Sequence, residues 1–190
     1  FTSTMYIFIE QLLDFIFPPS EESLIVRSLQ TNNVSSLSSY RVVDGVHTLS
    51  SYKDARIRAL VHEGKFHYNT HAFLILNQIL SEFLTTYKKP IDYILPIPLS
   101  KKRKRVRGYN QVYEILRAHR LNTSVEIRTN ILIRRFDTKP QTELTREKRL
   151  TNVQGAFGIK NIEAIRGKHI LIVDDVTTTG ATLRAAKAAL

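Results

Sequence analysis

Ile170-Leu171-Ile172-Val173-Asp174-Asp175-Val176-Thr177-Thr178-Thr179-Gly180-Ala181-Thr182 is the stretch that decides the fold. Four β-favouring apolar residues lead into two adjacent carboxylates, then a turn rich in hydroxyls and glycine, then a helix-forming run from Leu183 to Leu190. The pattern predicts a buried strand, a loop at its carboxyl end and a helix start, which is where open α/β sheets bind ligands. Amides at a helix start favour a phosphate, and threonine hydroxyls add hydrogen bonds to its oxygens. Like charges repel, so Asp174 and Asp175 serve something else: sugar hydroxyls, or a metal with oxygen ligands. A phosphate site beside a diol or metal site points to a phosphorylated sugar.

Working outward, Ile91 to Pro98 reads as a second core strand. Lys101, Lys102, Arg103, Lys104, Arg105 and Arg107 follow, interrupted only by Val106. Such a run is ordinarily a solvated face. Lying after a strand's carboxyl end and before a helix predicted from Asn110 to Arg120, it reads instead as an anion site, with Arg suited to bidentate phosphate contacts. Ile131 to Arg135 and Gly155 to Ile159 read as short strands. Phe136 to Asn152 has no clean period and carries Lys139, Arg146, Lys148 and Arg149. A long charged segment inside a domain reads as a lid or an insert. Strands alternating with helices predict a parallel α/β sheet flanked by helices.

The N-terminal part is less regular. Residues 5 to 17 have helical spacing that ends at Pro18-Pro19. Ser20 to Ser39, rich in Ser and Asn, reads as irregular or partly helical around Leu24 to Leu29. Asp44-Gly45 between Tyr40–Val43 and Val46–Leu49 is a hairpin signal. A helix is predicted from Ala55 to Glu63, stopped at Gly64, and a second with Phe73, Leu76, Ile79, Leu80 and Phe83 on its apolar face. His67 and His71 sit four apart on that second helix, with His62 nearby. The spacing admits a metal, but no Cys or carboxylate joins them, so solvent-facing or capping histidines are expected.

The composition sets bounds. The chain has 190 residues, 43% of them hydrophobic, which suits one domain with a core. It has no cysteine, so neither a disulfide framework nor a thiolate zinc site is expected. Tyr6 to Phe17, the most apolar N-terminal run, carries Glu10 and Asp14 and is too short to span a bilayer. A cytoplasmic protein without a membrane span is expected. A net charge of +11 points to an anionic partner.

The segment from Val173 to Thr182 resembles the signature of type I phosphoribosyltransferases, which bind 5-phosphoribosyl-1-pyrophosphate (PRPP). Leu95-Pro96-Ile97-Pro98-Leu99, the basic run and Arg107-Gly108-Tyr109-Asn110-Gln111 resemble the ComF branch of that superfamily, linked to competence and DNA uptake. So does the series Arg135, Thr138, Gln141, Leu144, Arg149, Asn152, Val153, Gly155, Ala156 and Phe157. The resemblance covers roughly residues 90 to 190, with weaker echoes at Phe17-Pro18-Pro19, Tyr52-Lys53 and Lys65.

The resemblance implies a phosphoribosyltransferase-like core over residues 66–190 and a small hood-like region over residues 1–65. It implies that Asp174 and Asp175 hold the ribose hydroxyls. Thr177, Thr178, Thr179, Gly180, Ala181 and Thr182 would cradle the 5′-phosphate. Lys101, Arg103 and Arg107, in the loop after Leu99, would meet the pyrophosphate. Arg135, Thr138, Gln141 and Arg149 would belong to a flexible loop that closes over the site. Mg²⁺ would arrive with PRPP rather than in a protein cage. Family members often carry an N-terminal cysteine zinc module; Ser20 and Glu21 stand there instead, and no zinc is expected. Family members also continue past the last helix, so a missing C-terminal edge strand is expected, with a homo-oligomer as one consequence. The implied reaction is transfer of a phosphoribosyl group to a nitrogen acceptor, with no catalytic residue assigned. The alternatives are a single-stranded DNA-binding accessory protein that works with competence proteins, and a PRPP-sensing regulator.

Overall fold

The computed structural model describes residues 14–15, 18–31, 33–119, 121, 125–136 and 155–190. Most of the helix expected over residues 5 to 17 therefore lies outside the described residues. Helix α1 (Glu21–Ser28) starts where Ser20 Oγ accepts the Ser23 amide at 3.1 Å. Glu21 and Glu22 in its first turn and Arg27 in its last complement the helix dipole. Strands β1 (Arg41–Val43) and β2 (Val46–Thr48) form the expected hairpin. Asp44 and Gly45 both take the positive φ that a tight two-residue turn requires.

Helix α2 (Ala55–Phe66) opens on the Asp54 cap and runs straight through Gly64, the stop that the sequence suggests. A Cβ at Gly64 would lie 2.9 Å from Phe73 Cε1, so the glycine lets Phe73 press against the backbone of α2. Phe73 belongs to α3 (Thr70–Thr86), which is capped by Asn69. His67 is the C-cap of α2 while His71 lies in α3, so the two histidines do not share a helix as expected.

Strand β3 (Tyr93–Pro96) is followed by α4 (Lys101–Arg107) and α5 (Gln111–Arg117). The basic run is thus itself a helix, not a loop. Ser100 Oγ accepts the Arg103 amide, and Gly108 closes the helix in the left-handed region at φ 84°. Helix α5 ends at Arg117, three residues short of the expected Arg120, where Asn77 from α3 donates to the carbonyls of Ile115, Leu116 and His119. Strands β4 (Glu126–Ile127), β5 (Leu132–Arg134), β6 (Phe157–Ile159) and β7 (Ile170–Val173) lead to helix α6 (Ala181–Lys187).

The parallel sheet has the order β4-β3-β7, and β5-β6 form a separate antiparallel ribbon. Period-2 alternation sends neighbouring side chains to opposite faces. Ile94 packs with Leu80, Leu84, Val112 and Leu116 on one face, joined by Leu171 and Val173. Leu95 packs with Leu132, Phe157 and Ala186 on the other, joined by Ile170 and Ile172. Both faces are covered, as a parallel sheet requires. Strand β7 is only partly buried, because its described partner lies on one side alone. A third core of Val26, Ile57, Leu60, Ala72 and Ile75 joins α1, α2 and α3. No described helix is long and apolar enough to cross a membrane.

Candidate functional site

The register Pro96↔Val173 brings the carboxyl ends of β3 and β7 level, so the residues after each strand share one edge of the sheet. The Asp174-Asp175 pair leaves β7 there. Asp175 is held by two side chains from elsewhere in the fold. Lys65 Nζ, from the last turn of α2, stands 2.9 Å from its Oδ2, and Gln111 Nε2 donates to the same oxygen at 2.8 Å. Arg107 in turn donates to Gln111 Oε1. The Asp175 amide donates to Asp174 Oδ1 at 3.0 Å.

Asp174 retains some exposed surface, yet the protein packed around it raises its carboxyl to about 7. Desolvation comes first among the causes, and the negative charge of Asp175 adds to it; Lys65 and the Asp175 amide pull the other way. Arg107 is held below the usual guanidinium range by burial, with Asp175 opposing and Arg103 reinforcing the shift. Arg103 and Arg107 are the half-buried cations of α4, four apart on one helix face. Lys101, Lys102, Lys104 and Arg105 are exposed.

The segment Arg107-Gly108-Tyr109-Asn110-Gln111 has a structural task at nearly every position. Gly108 ends α4. Tyr109 Oη donates to the Gly64 carbonyl at 2.9 Å and so ties the motif to the end of α2. Asn110 caps α5 and donates to the Ile97 carbonyl at 3.0 Å. Gln111 reaches Asp175.

After the acids, Thr177 to Gly180 form the loop that opens α6. Gly180 sits at φ 72°, and a Cβ there would lie 2.8 Å from Arg184 Nη1 and 3.7 Å from Val46 Cγ2. Arg184 donates to the Thr179 carbonyl and stands 3.7 Å from Asp44 Oδ2 in the hairpin turn. Thr178 is exposed, and the buried Thr179 Oγ1 has no hydrogen-bond partner among the described residues. An unpartnered hydroxyl at such a loop is a donor available to an anion.

Residues 117–190 match the phosphoribosyl transferase domain family. The chain is 34% identical over 113 residues to competence protein ComFC of Bacillus subtilis, covering 57% of this chain and 44% of that protein. It is 32% identical over 131 residues to the DNA utilization protein YhgH of Salmonella typhimurium, covering 65% of this chain and 56% of that protein. The Escherichia coli K12 YhgH is 29% identical over 129 residues, with the same coverage. These matches support a ComF-family, phosphoribosyltransferase-like protein. It spans about half the length of the curated relatives it matches. No solved structure matches it.

Of the residues singled out in the sequence, Asp174 and Asp175 lie beside Arg107, which reaches Asp175 through Gln111, and Arg103 lies one turn before Arg107; Thr177 to Gly180 form the adjoining loop, and Ala181 and Thr182 are the first residues of α6. Lys101 is exposed on the outer side of α4. Of the flexible-loop residues, Arg135 directly follows β5, and its amide donates to the Ala156 carbonyl at 2.8 Å. Thr138, Gln141 and Arg149 lie outside the described residues. Sequence reasoning assigns no role to Lys65, Gln111 or Arg184. Lys65 and Gln111 each fall in a stretch that resembles the family, and that shared likeness is the only signal in the sequence that links them to one carboxylate. The expectation that no carboxylate joins the histidines is also corrected: Glu63 lies beside both His62 and His67.

Proposed function

We propose that this protein binds PRPP together with Mg²⁺ and transfers its phosphoribosyl group to a nitrogen acceptor. The bond from C1 of the ribose to the pyrophosphate oxygen breaks as the C1–N bond forms, and the pyrophosphate keeps the electron pair. The observation that carries the reading is the clamp on Asp175. Lys65 and Gln111 hold that carboxylate beside Asp174, at the mouth of the Thr177–Gly180 loop and within the influence of Arg107. A pair of acids held this way suits ribose hydroxyls, the loop suits the 5′-phosphate, and Arg103 and Arg107 suit the pyrophosphate.

The donor set also fits Mg²⁺, which favours carboxylate oxygens, and the raised Asp174 marks a carboxyl that a cation would return to its charged form. When bound, Mg²⁺ neutralises charge on the pyrophosphate. The protein's own residues position the ribose and stabilise the leaving group, which is the main work such a displacement requires. The reading carries a cytoplasmic location with it, since PRPP is a highly charged metabolite.

Calorimetric titration of PRPP with Mg²⁺ tests it. Wild type is expected to bind, and the Asp174→Asn/Asp175→Asn variant to lose most of that affinity. Equal affinity in the two proteins, or no binding by either, would sink the reading. Binding without pyrophosphate release on incubation with candidate bases would leave a PRPP sensor.

A second reading rests on the outer face of α4, where Lys101, Lys102, Lys104 and Arg105 are exposed. This face suits the phosphates of single-stranded DNA. The names of the relatives, a competence protein and DNA utilization proteins, support a place in DNA uptake.

A further inference from the structure

Away from the Asp174–Asp175 site, the end of α2 gathers His62, Glu63 and His67. One ligand atom from each lies within 4.8 Å of the other two. Glu63 Oε1 stands 3.9 Å from His67 Nε2. Glu63 is 4% exposed, and its other carboxylate oxygen accepts from Asn69 Nδ2 at 3.0 Å, which fixes its orientation. The His62 and His67 ring centroids are 5.6 Å apart. His62 Nδ1 is buried and has no hydrogen-bond partner among the described residues. A buried ring nitrogen without a partner is a rarity that calls for a physical cause, and a bound ion is among the recognised ones.

We propose that His62, Glu63 and His67 form a binding site for a divalent transition metal of the zinc class, separate from any Mg²⁺ that accompanies PRPP. Two imidazoles and one carboxylate make a donor set that zinc takes in proteins. Mg²⁺ and Ca²⁺ take oxygen ligands, so the histidines select against them. Zinc bonds of about 2.0–2.2 Å place tetrahedral donors roughly 3.3 Å apart. Contraction from the observed spacing takes a small rotation of His67, whose side chain is 54% exposed and has room to move.

The role of the ion is structural. It fastens the final turn of α2, and Lys65, which grips Asp175, sits in that turn.

The test is a Zn²⁺ titration of the chelator-treated full chain without PRPP, followed by Co²⁺ as a spectroscopic substitute. Wild type is expected to take up one ion per chain and to show the visible band of tetrahedral, nitrogen-ligated Co²⁺. His67→Ala removes an exposed ligand without opening the core. It should weaken binding by at least the roughly 10–100-fold that losing an outer partner of a metal costs. Asp174→Asn/Asp175→Asn should leave binding unchanged. No stoichiometric uptake, unchanged affinity in His67→Ala, or loss of binding in the Asp variant would each overturn the proposal. Should His67→Ala fail to fold, by circular dichroism, the wild-type Co²⁺ spectrum decides: a band without nitrogen ligation rejects the site. Because neither the ion nor His67 touches the PRPP residues, failure here leaves the PRPP titration unaffected.

Discussion

Asp174 is the residue whose proton matters most. Its carboxyl, with an ordinary value of 3.8, rises to about 7 through burial and the charge of Asp175. Between those two values the folded chain holds a proton that the unfolded chain has lost, so folding stability falls as pH climbs through that window. Asp174→Asn removes the titration. Thermal melts should show a variant less sensitive to pH across that range and more stable than wild type at pH about 8, by roughly 2–4 °C for each kcal/mol recovered. A wild-type melting temperature that rises from acid to neutral pH, with no difference from the variant, would contradict this. The Asp pair is legible in the sequence because the two acids and the threonine loop are contiguous. Lys65 and Gln111 are not, because what makes them partners of Asp175 is proximity in space. Glu63 escapes notice for a related reason: helical spacing alone puts His67 and His71 on one helix, and that placement leaves the neighbouring carboxylate out.

At the scale of elements, Gly64 and the basic run show why local signals mislead. Glycine at a helix end and glycine at a helix crossing look the same in a sequence; only the position of Phe73 distinguishes them. Gly64→Ala sets two effects against each other. Helix propensity favours alanine by about 1 kcal/mol. A Cβ 2.9 Å from the Phe73 ring costs about 1–3 kcal/mol in a packed site. The clash should win, giving a net loss by denaturant unfolding, and Phe73→Leu in the Gly64→Ala background should return part of it. Additive losses would show that the ring is not what excludes the methyl. The basic run hides its helix behind charge. Its boundaries are nonetheless marked locally: Ser100 at the cap and Gly108 just past the end. Strand β7 is the most legible element, since its side chains divide alternately between the two sheet faces. The two strands of the β5-β6 ribbon are legible as strands, but their pairing is long-range and carries no local mark.

For the whole molecule, the +11 charge acts as a field as well as a set of contacts. If the outer face of α4 binds single-stranded DNA, replacing Lys101, Lys102, Lys104 and Arg105 by Gln should lower affinity and flatten its dependence on salt. The logarithmic slope should fall by about 0.7 for each phosphate that the protein ceases to neutralise. PRPP should not displace that DNA, because Arg103 and Arg107 belong to the other face of the helix. Displacement would mean that one cationic site serves both ligands. The α/β class is visible in the alternation of strands and helices; the junction that Lys65 of α2 makes with Asp175 after β7 is not. That junction has a consequence for how the protein is made. Lys65 leaves the ribosome 110 residues before Asp175, the difference of their positions. At roughly 5–20 residues per second, the lysine waits on the order of 5–20 s for its partner. Strand β3 waits somewhat less for β7, since Tyr93 precedes its register partner Ile170 by 77 residues, again the difference of their positions. The nascent chain therefore carries its helical N-terminal third and its basic helix well before it has a site, and ligand can assist folding only after synthesis has passed the threonine loop.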